Sequence, residues 1–407
     1  MTAYPLPLDP GTAPAPRYGS SALSDLLPAL AAGFGVRLDL PPSRAPQSDT
    51  PQPEIPQPAD GLELTPADRV CVFLVDGLGW ELIRSHPAEA PFLTSLLPTS
   101  LAGTGRPLQA AFPSTTATSL ASFGTGLPPG RHGLVGYTVA IPGENRLMNQ
   151  LRWQPRRDPR TWQPYPTVFR QLQRAGIPTT HISLPSFADT PMTKAALSGG
   201  SFHGRFTGEE RVDLAARRLA AEDRALVFTY YSELDSMGHR HGVDSPEWRG
   251  QLREVDRLTR RLAEQLPPRS VLYLTADHGM IDIAPENRVD FDEDWELRAG
   301  VALLGGEGRA RHLYAVPGGA RDVLAVWSEV MGEQMWVASR EQAVAAGWFG
   351  PEVDERVYER IGDVVAAARD DIAVIATRQE PGESSMVGLH GSFTPVEQHI
   401  PLLEVRG

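Results

Sequence analysis

Three stretches of this chain share one pattern, an apolar, β-rich run that ends on or shortly before an aspartate. Val70-Cys71-Val72-Phe73-Leu74-Val75 leads into Asp76-Gly77, residues 225–231 precede Asp235, and residues 270–275 precede Asp277. A continuous apolar run without polar alternation is the signature of a strand covered on both faces. Helical segments fall between these runs, most clearly at 246–266 and 167–174, and a further one at 80–85 follows the first run. Strands alternating with helices predict an α/β fold, a three-layer sandwich around a largely parallel central sheet. In such sheets ligands collect at the C-terminal ends of the strands, where these aspartates stand. Residues 400–405 read as a late strand, so the core is expected to return at the end of the sequence.

Before the first strand the composition changes. Fourteen of the 38 prolines lie within the first 66 residues, seven of them between Pro41 and Pro58 among Gln, Ser, Asp and Glu. Such a stretch buries too little apolar surface to offset its ordering entropy, and 41–66 is read as a linker. Ahead of it, in a segment spanning 1–40, Leu23, Leu26, Leu27, Leu30 and Phe34 recur at helical spacing, which predicts a short helix docked on the main body. The main domain is placed at 67–407. Within it the strand–acid pattern lapses between about 283 and 369, where a strand at 312–316 and helices at 318–330 and 339–348 suggest a smaller inserted cap.

Composition narrows the function classes. Of 407 residues, 41% are apolar and 22% charged, which excludes wholesale disorder. The formal charge of −12 argues against gripping duplex nucleic acid. It leaves room for a small phosphorylated substrate, because bound metal supplies local positive charge. The one cysteine, Cys71, excludes an intrachain disulfide and a paired-thiolate zinc site. Prolines break the early sequence, and the most apolar early stretch, 23–36, is interrupted by Asp25 and Pro28. A secretory signal and a membrane span are therefore not expected, and the cytoplasm is the expected compartment. Nothing here speaks to oligomeric state.

Three of the ten histidines sit in short polar clusters: Asp235-Ser-Met-Gly-His239, Asp277-His278-Gly279 and Leu389-His390-Gly391. With Asp76 they make three carboxylates and three imidazoles, a donor set suited to borderline divalent ions such as zinc, with manganese as an alternative. An aspartate after a strand commonly serves only as a turn former or helix cap. Several such sites in one chain are less easily dismissed. A second element is the hydroxyl-rich run Phe112-Pro113-Ser114-Thr115-Thr116-Ala117-Thr118-Ser119-Leu120. It would place a hydroxyl at a helix N-terminus, where N–H groups and the helix dipole favour an alkoxide or phosphate. Plain N-capping is the bland alternative.

Taken together, these residues resemble the nucleotide pyrophosphatase/phosphodiesterase branch of the alkaline phosphatase superfamily. Phe112, Pro113, Thr116, Thr125, Gly126, Pro129, His132 and Gly133 fall on its nucleophile segment without a gap. Val75-Asp76-Gly77, Asp235 with His239, Asp277-His278-Gly279 and His390-Gly391 follow the family order. The resemblance implies an alkaline phosphatase-like sandwich. It also implies one zinc held by Asp235, His239 and His390 and another by Asp76, Asp277, His278 and Thr116. Thr116 would be the nucleophile that forms a covalent intermediate, since metal coordination is a way to activate a weak hydroxyl. The implied reaction is hydrolysis of a small phosphodiester or nucleotide pyrophosphate. A family asparagine, read three residues beyond the nucleophile, is Ser119 here, a shorter donor offered as a phosphoryl contact.

No matched arginine stands beside the nucleophile, although Arg106 and Arg205 are placed to approach from elsewhere. A phosphomonoesterase or phosphonate hydrolase of the same superfamily, and a catalytically weak metal-binding relative, are the competing expectations. Tyr137, Met148, Trp153 and Trp162 are named as pocket candidates, each with core packing as the alternative.

Overall fold

The structure is a computed structural model, and it describes residues 10–41 and 62–407. Most of the expected linker, 42–61, lies outside the described residues. Five strands form the parallel part of the central sheet: β1 Arg69–Val75, β2 Thr179–Ser183, β3 Ser201–Gly204, β4 Ala225–Tyr231 and β5 Ser270–Thr275. Their spatial order is β5-β1-β4-β2-β3, with β1 in register against Ala225–Tyr231 on one side and 270–275 on the other. Every residue of β4 and β5 is buried, as is all of β1 but Arg69, so both faces of the sheet are covered.

Helices supply that cover. Helix α1, Leu26–Gly33, belongs to the N-terminal segment, where Leu23, Leu26, Leu27, Leu30 and Phe34 join the same core as β1. The Asp25 carboxylate fixes the approach to α1 by accepting the Gly19 and Ala22 N–H groups at 3.0 and 2.8 Å. Helix α2, Thr116–Thr125, is buried along its whole length. Helix α3, Gly208–Ala221, starts with a reciprocal cap in which Thr207 and Glu210 satisfy each other's N–H groups. Helix α4, Glu233–His241, follows β4 directly. Helix α5, Pro246–Glu264, is capped by Ser245, begins on a proline, and buries Trp248, Leu252, Val255, Leu258 and Leu262 as one stripe.

An antiparallel sheet of four strands follows β5 in the chain: β6 Val301–Glu307, β7 Ala310–Ala315, β8 Met335–Ser339 and β9 Val364–Ala368, in the order β6-β7-β9-β8. Helix α6, Ala320–Met331, contributes Val323, Trp327 and Met331 to its separate core. That core runs from Phe291 to Ala376, past residue 369, because Ala373–Ile375 returns to pair with Arg288–Asp290. The central sheet is completed by β10, Leu402–Arg406, antiparallel to β5. The strand expected over 400–405 is therefore split. Pro401 lacks an N–H, so His399–Ile400 pair instead with Leu108–Gln109 before β10 begins. No helix of the described residues is long and apolar enough to cross a membrane.

Candidate active site

The ends of the parallel strands converge on one point. Asp76 leaves β1, its N–H bonded to the Tyr231 carbonyl at the end of β4 (2.8 Å). Gly77 follows at φ +73°, and a Cβ there would stand 3.2 Å from the Asp235 backbone, so the turn requires glycine. Asp235 and His239 lie one turn apart on α4, with Oδ1 and Nε2 3.4 Å apart. Asp277 and His278 follow β5. The Gly77 and His278 N–H groups both donate to Asp277 Oδ1. His390 arrives from the C-terminal part of the chain, and its ring stacks on His278 at 3.7 Å. Thr116 opens α2, and its Oγ1 lies 3.2 Å from His278 Nε2.

Two compact groups of ligand atoms result: Asp76, Asp277 and His278, and Asp235, His278 and His390. His278 sits in both. His239 is outside the second group, although its ring is 5.1 Å from that of His390. In each imidazole Nδ1–H donates to a backbone carbonyl: His239 to Gly388, His278 to Gly279 and His390 to Ser114, at 2.8–2.9 Å. That fixes the tautomer and leaves each Nε2 with a lone pair directed inward. The inward-facing partners are also acceptors. Asp76 Oδ1, Asp235 Oδ1 and Asp277 Oδ2 are buried without a hydrogen-bond donor. Tyr230 donates to the other Asp76 oxygen.

Burial, then the neighbouring Asp277 and Asp235 charges, push the Asp76 carboxyl well above its ordinary range. Burial likewise raises Asp277 and holds His390 well below the usual imidazole value. Acceptors packed against acceptors, with nitrogen and oxygen donors and no thiolate, fit divalent cations of the zinc type.

The family model described as "Type I phosphodiesterase / nucleotide pyrophosphatase" matches residues 70–393. This chain belongs to that family. It is 33% identical over 125 residues to human ectonucleotide pyrophosphatase/phosphodiesterase family member 7, covering 29% of this chain and 27% of that one. It is 25% identical over 198 residues to an uncharacterized pyrophosphatase/phosphodiesterase of Schizosaccharomyces pombe, covering 46% and 41%. These matches thus span less than half the length of either relative. Murine ectonucleotide pyrophosphatase/phosphodiesterase 5 superposes with a TM-score of 0.62 at 21% identity, over 83% of this chain and 88% of that one. The fold is accordingly alkaline phosphatase-like, with a mostly parallel central sheet.

In this member of the phosphodiesterase family a cavity of about 550 Å³ adjoins the cluster, lined by Asp76, Thr116, Asp235, His239 and His390. Leu120, Leu184, Phe187, Met192, Leu197, Phe202 and Phe228 make much of its remaining wall. His181 also lines it and is kept neutral, its pKa lowered to about 3 by burial. Ser119 does not line the cavity. It stands three residues, about 4.5 Å, deeper along α2 than Thr116, with its Oγ buried and unpartnered. Arg106 and Arg205 do not reach the wall, whereas Arg152 and Arg311 do. Of the four pocket candidates Tyr137 lines it, with its hydroxyl donating to Glu383 at 3.1 Å, while Met148, Trp153 and Trp162 are packed in the core.

Sequence reasoning missed Glu307. It closes β6, lines the cavity, accepts the Thr115 hydroxyl at 3.1 Å and leaves Oε1 unpartnered. The only local signal was the run Gly305-Gly306-Glu307-Gly308, which reads as a tight turn and names no chemistry.

Proposed function

We propose that this chain hydrolyses phosphodiester or pyrophosphate bonds in a small substrate, through a covalent intermediate on Thr116. The observation that carries this reading is the position of Thr116 Oγ1, at the N-terminus of α2 and 3.2 Å from His278 Nε2. Asp235, His239 and His390 would hold one divalent ion, and Asp76, Asp277, His278 and Thr116 the other, zinc before manganese. Bound ions supply Lewis acidity and lower the pKa of a nearby hydroxyl or water.

The chain's own residues do the rest. The unpaired N–H groups and dipole of α2 face the anionic phosphoryl group. Thr116 passes its hydroxyl proton to a water molecule and attacks phosphorus. The new O–P bond forms as the bond to the leaving oxygen breaks in line, and that oxygen takes a proton from water. A second water then cleaves the phosphothreonine linkage and restores the hydroxyl. Tyr230, by donating to Asp76, directs the other carboxylate oxygen inward.

A metal-by-substrate activity matrix tests the reading. Bis-p-nitrophenyl phosphate should exceed p-nitrophenyl phosphate in kcat/KM, and quenching a labelled diester should leave the label on Thr116. A clear preference for the monoester would replace this reading with a phosphatase.

The cavity wall favours a second reading of the substrate's other arm. With Leu120, Leu184, Phe187, Met192, Leu197 and Phe202 lining the space beyond Thr116, an apolar arm is supported over a nucleoside. Rates with p-nitrophenyl alkyl phosphates of rising chain length, set against p-nitrophenyl nucleoside phosphates, separate the two.

A further inference from the structure

The turn between β6 and β7 carries Arg309, whose side chain is fully buried. Its Nε and one terminal nitrogen donate to the two oxygens of Glu397, at 3.1 and 2.6 Å, and the other terminal nitrogen donates to the Asp370 and Ile372 carbonyls. Glu397 is equally buried and lies on the short helix Pro395–Gln398. Its carboxylate also accepts the Ser392 N–H at 3.0 Å and the Thr394 hydroxyl. Its main-chain carbonyl accepts the Gly279 N–H at 2.8 Å.

Each of these partners is attached to the candidate site. Gly279 adjoins His278 and accepts its Nδ1–H. Ser392 is two residues beyond His390, and its carbonyl accepts the Ser114 hydroxyl at 2.7 Å. Ser114 in turn receives the His390 Nδ1–H on its carbonyl and the Gly391 N–H on its hydroxyl. It stands two residues before Thr116. One ion pair therefore joins the inserted sheet to the Asp277–His278 loop, the His390 loop and the nucleophile segment.

Burying two charges is costly, and an apolar pair of equal volume would pack as well or better. It could not satisfy the Ser392 N–H, the Thr394 hydroxyl and two carbonyls together. We propose that Arg309 and Glu397 are positioning residues: through them the inserted sheet fixes the spacing between the two groups of metal ligands. The inference rests on the two-ion reading above. Neither side chain lines the cavity. Their loss should loosen the ligand geometry without altering the cavity wall, so metal affinity and kcat change while KM does not.

The test compares wild type with Arg309→Met/Glu397→Gln, which removes both charges, keeps volume and leaves an acceptor for the Ser392 N–H. Zinc affinity is read by competition with a chromogenic chelator, folding by circular dichroism, and kcat and KM with bis-p-nitrophenyl phosphate. The dissociation constant of the weaker-bound zinc should rise about 10- to 100-fold, the usual effect of removing a group that orients metal ligands. The kcat should fall in proportion, with KM held within about threefold. Thr394→Val, which deletes one donor to Glu397, should move affinity the same way by a smaller factor, and it carries the test if the double variant does not fold. A folded double variant, or Thr394→Val in its place, with unchanged zinc affinity and kcat would overturn the positioning role. A wild-type protein that binds fewer than two zinc ions, or turns over no diester, would instead overturn the functional reading beneath it.

Discussion

The parallel sheet and the inserted antiparallel sheet both furnish the wall of the candidate site, but they hold their contributions differently. Asp76, Asp235 and Asp277 lie just beyond strands buried on both faces, so the main core fixes where those acids emerge. Glu307 ends β6, a strand whose first three residues are at least partly exposed. It is steadied by the Thr115 hydroxyl, which donates to its carboxylate. The difference separates two duties. Strand ends backed by a core on each side supply groups that cannot move without unfolding, whereas a hairpin tip supplies groups that can be exchanged at modest cost. Changes at the strand ends should abolish chemistry, and changes at the tip should tune it.

The largest effect should come from Thr116→Ala, which should lower kcat by about 10⁴-fold or more while leaving fold and bound metal largely intact. Thr116→Ser should keep measurable turnover. Full activity in Thr116→Ala, measured after a metal-content check, would sink the covalent mechanism. Next come Asp277→Ala and His390→Ala, each expected to bind one ion fewer than wild type by elemental analysis after zinc reconstitution. If either keeps full stoichiometry, the strand-end ligand sets are wrongly drawn.

At the hairpin tip Glu307→Ala should cost about 10- to 100-fold in kcat, because it strips the Thr115 hydroxyl of its partner beside the nucleophile. A loss as large as that of Thr116→Ala would erase the distinction between the two regions. In the apolar wall each added methylene of an alkyl phosphodiester should raise kcat/KM about fourfold, the equivalent of about 0.8 kcal/mol per buried CH₂. Leu120→Trp should flatten that series and spare the methyl ester. A flat wild-type series would remove the apolar-arm reading.

The smallest effect lies outside both regions, on the approach to α1. Burial raises the Asp25 carboxyl to about 6 in the folded protein. The stability held while it is protonated is therefore complete below the ordinary carboxylate range, and it is lost as pH rises through about 6. Asp25→Asn should flatten that part of the Tm–pH curve. Parallel curves for the two proteins would show that the carboxyl is not perturbed.

The same contrast explains what could be read from residues alone. β1, β4 and β5 were legible because double burial leaves an unbroken apolar run, and the acids beyond them carried the site with them. β2 and β3, Thr-Thr-His-Ile-Ser and Ser-Phe-His-Gly, are short and polar, and nothing in their spacing marks a strand. Ser119 is assigned to the phosphate by its position in a motif alone, and three residues along α2 from Thr116 its Oγ is buried and unpartnered. Glu307 and Arg311 come from a hairpin whose register depends on tertiary pairing, with β7 held between β6 and β9. Such placement has no local signature.

Helix α2 has a consequence of its own. All ten of its residues are buried, most are Ala, Ser, Thr or Gly, and a Cβ on Gly124 would overlap the Ala196 carbonyl at 1.7 Å. A helix that meets solvent only where Thr116 and Leu120 line the cavity, and that carries few large apolar side chains, cannot open alone, because separation uncovers its neighbours on the remaining sides. Its inner amides should therefore exchange with deuterium only when the whole domain unfolds, among the slowest in the molecule. The backbone behind Thr116 would then report global stability, and any ligand that slowed its exchange would be measuring its own binding energy.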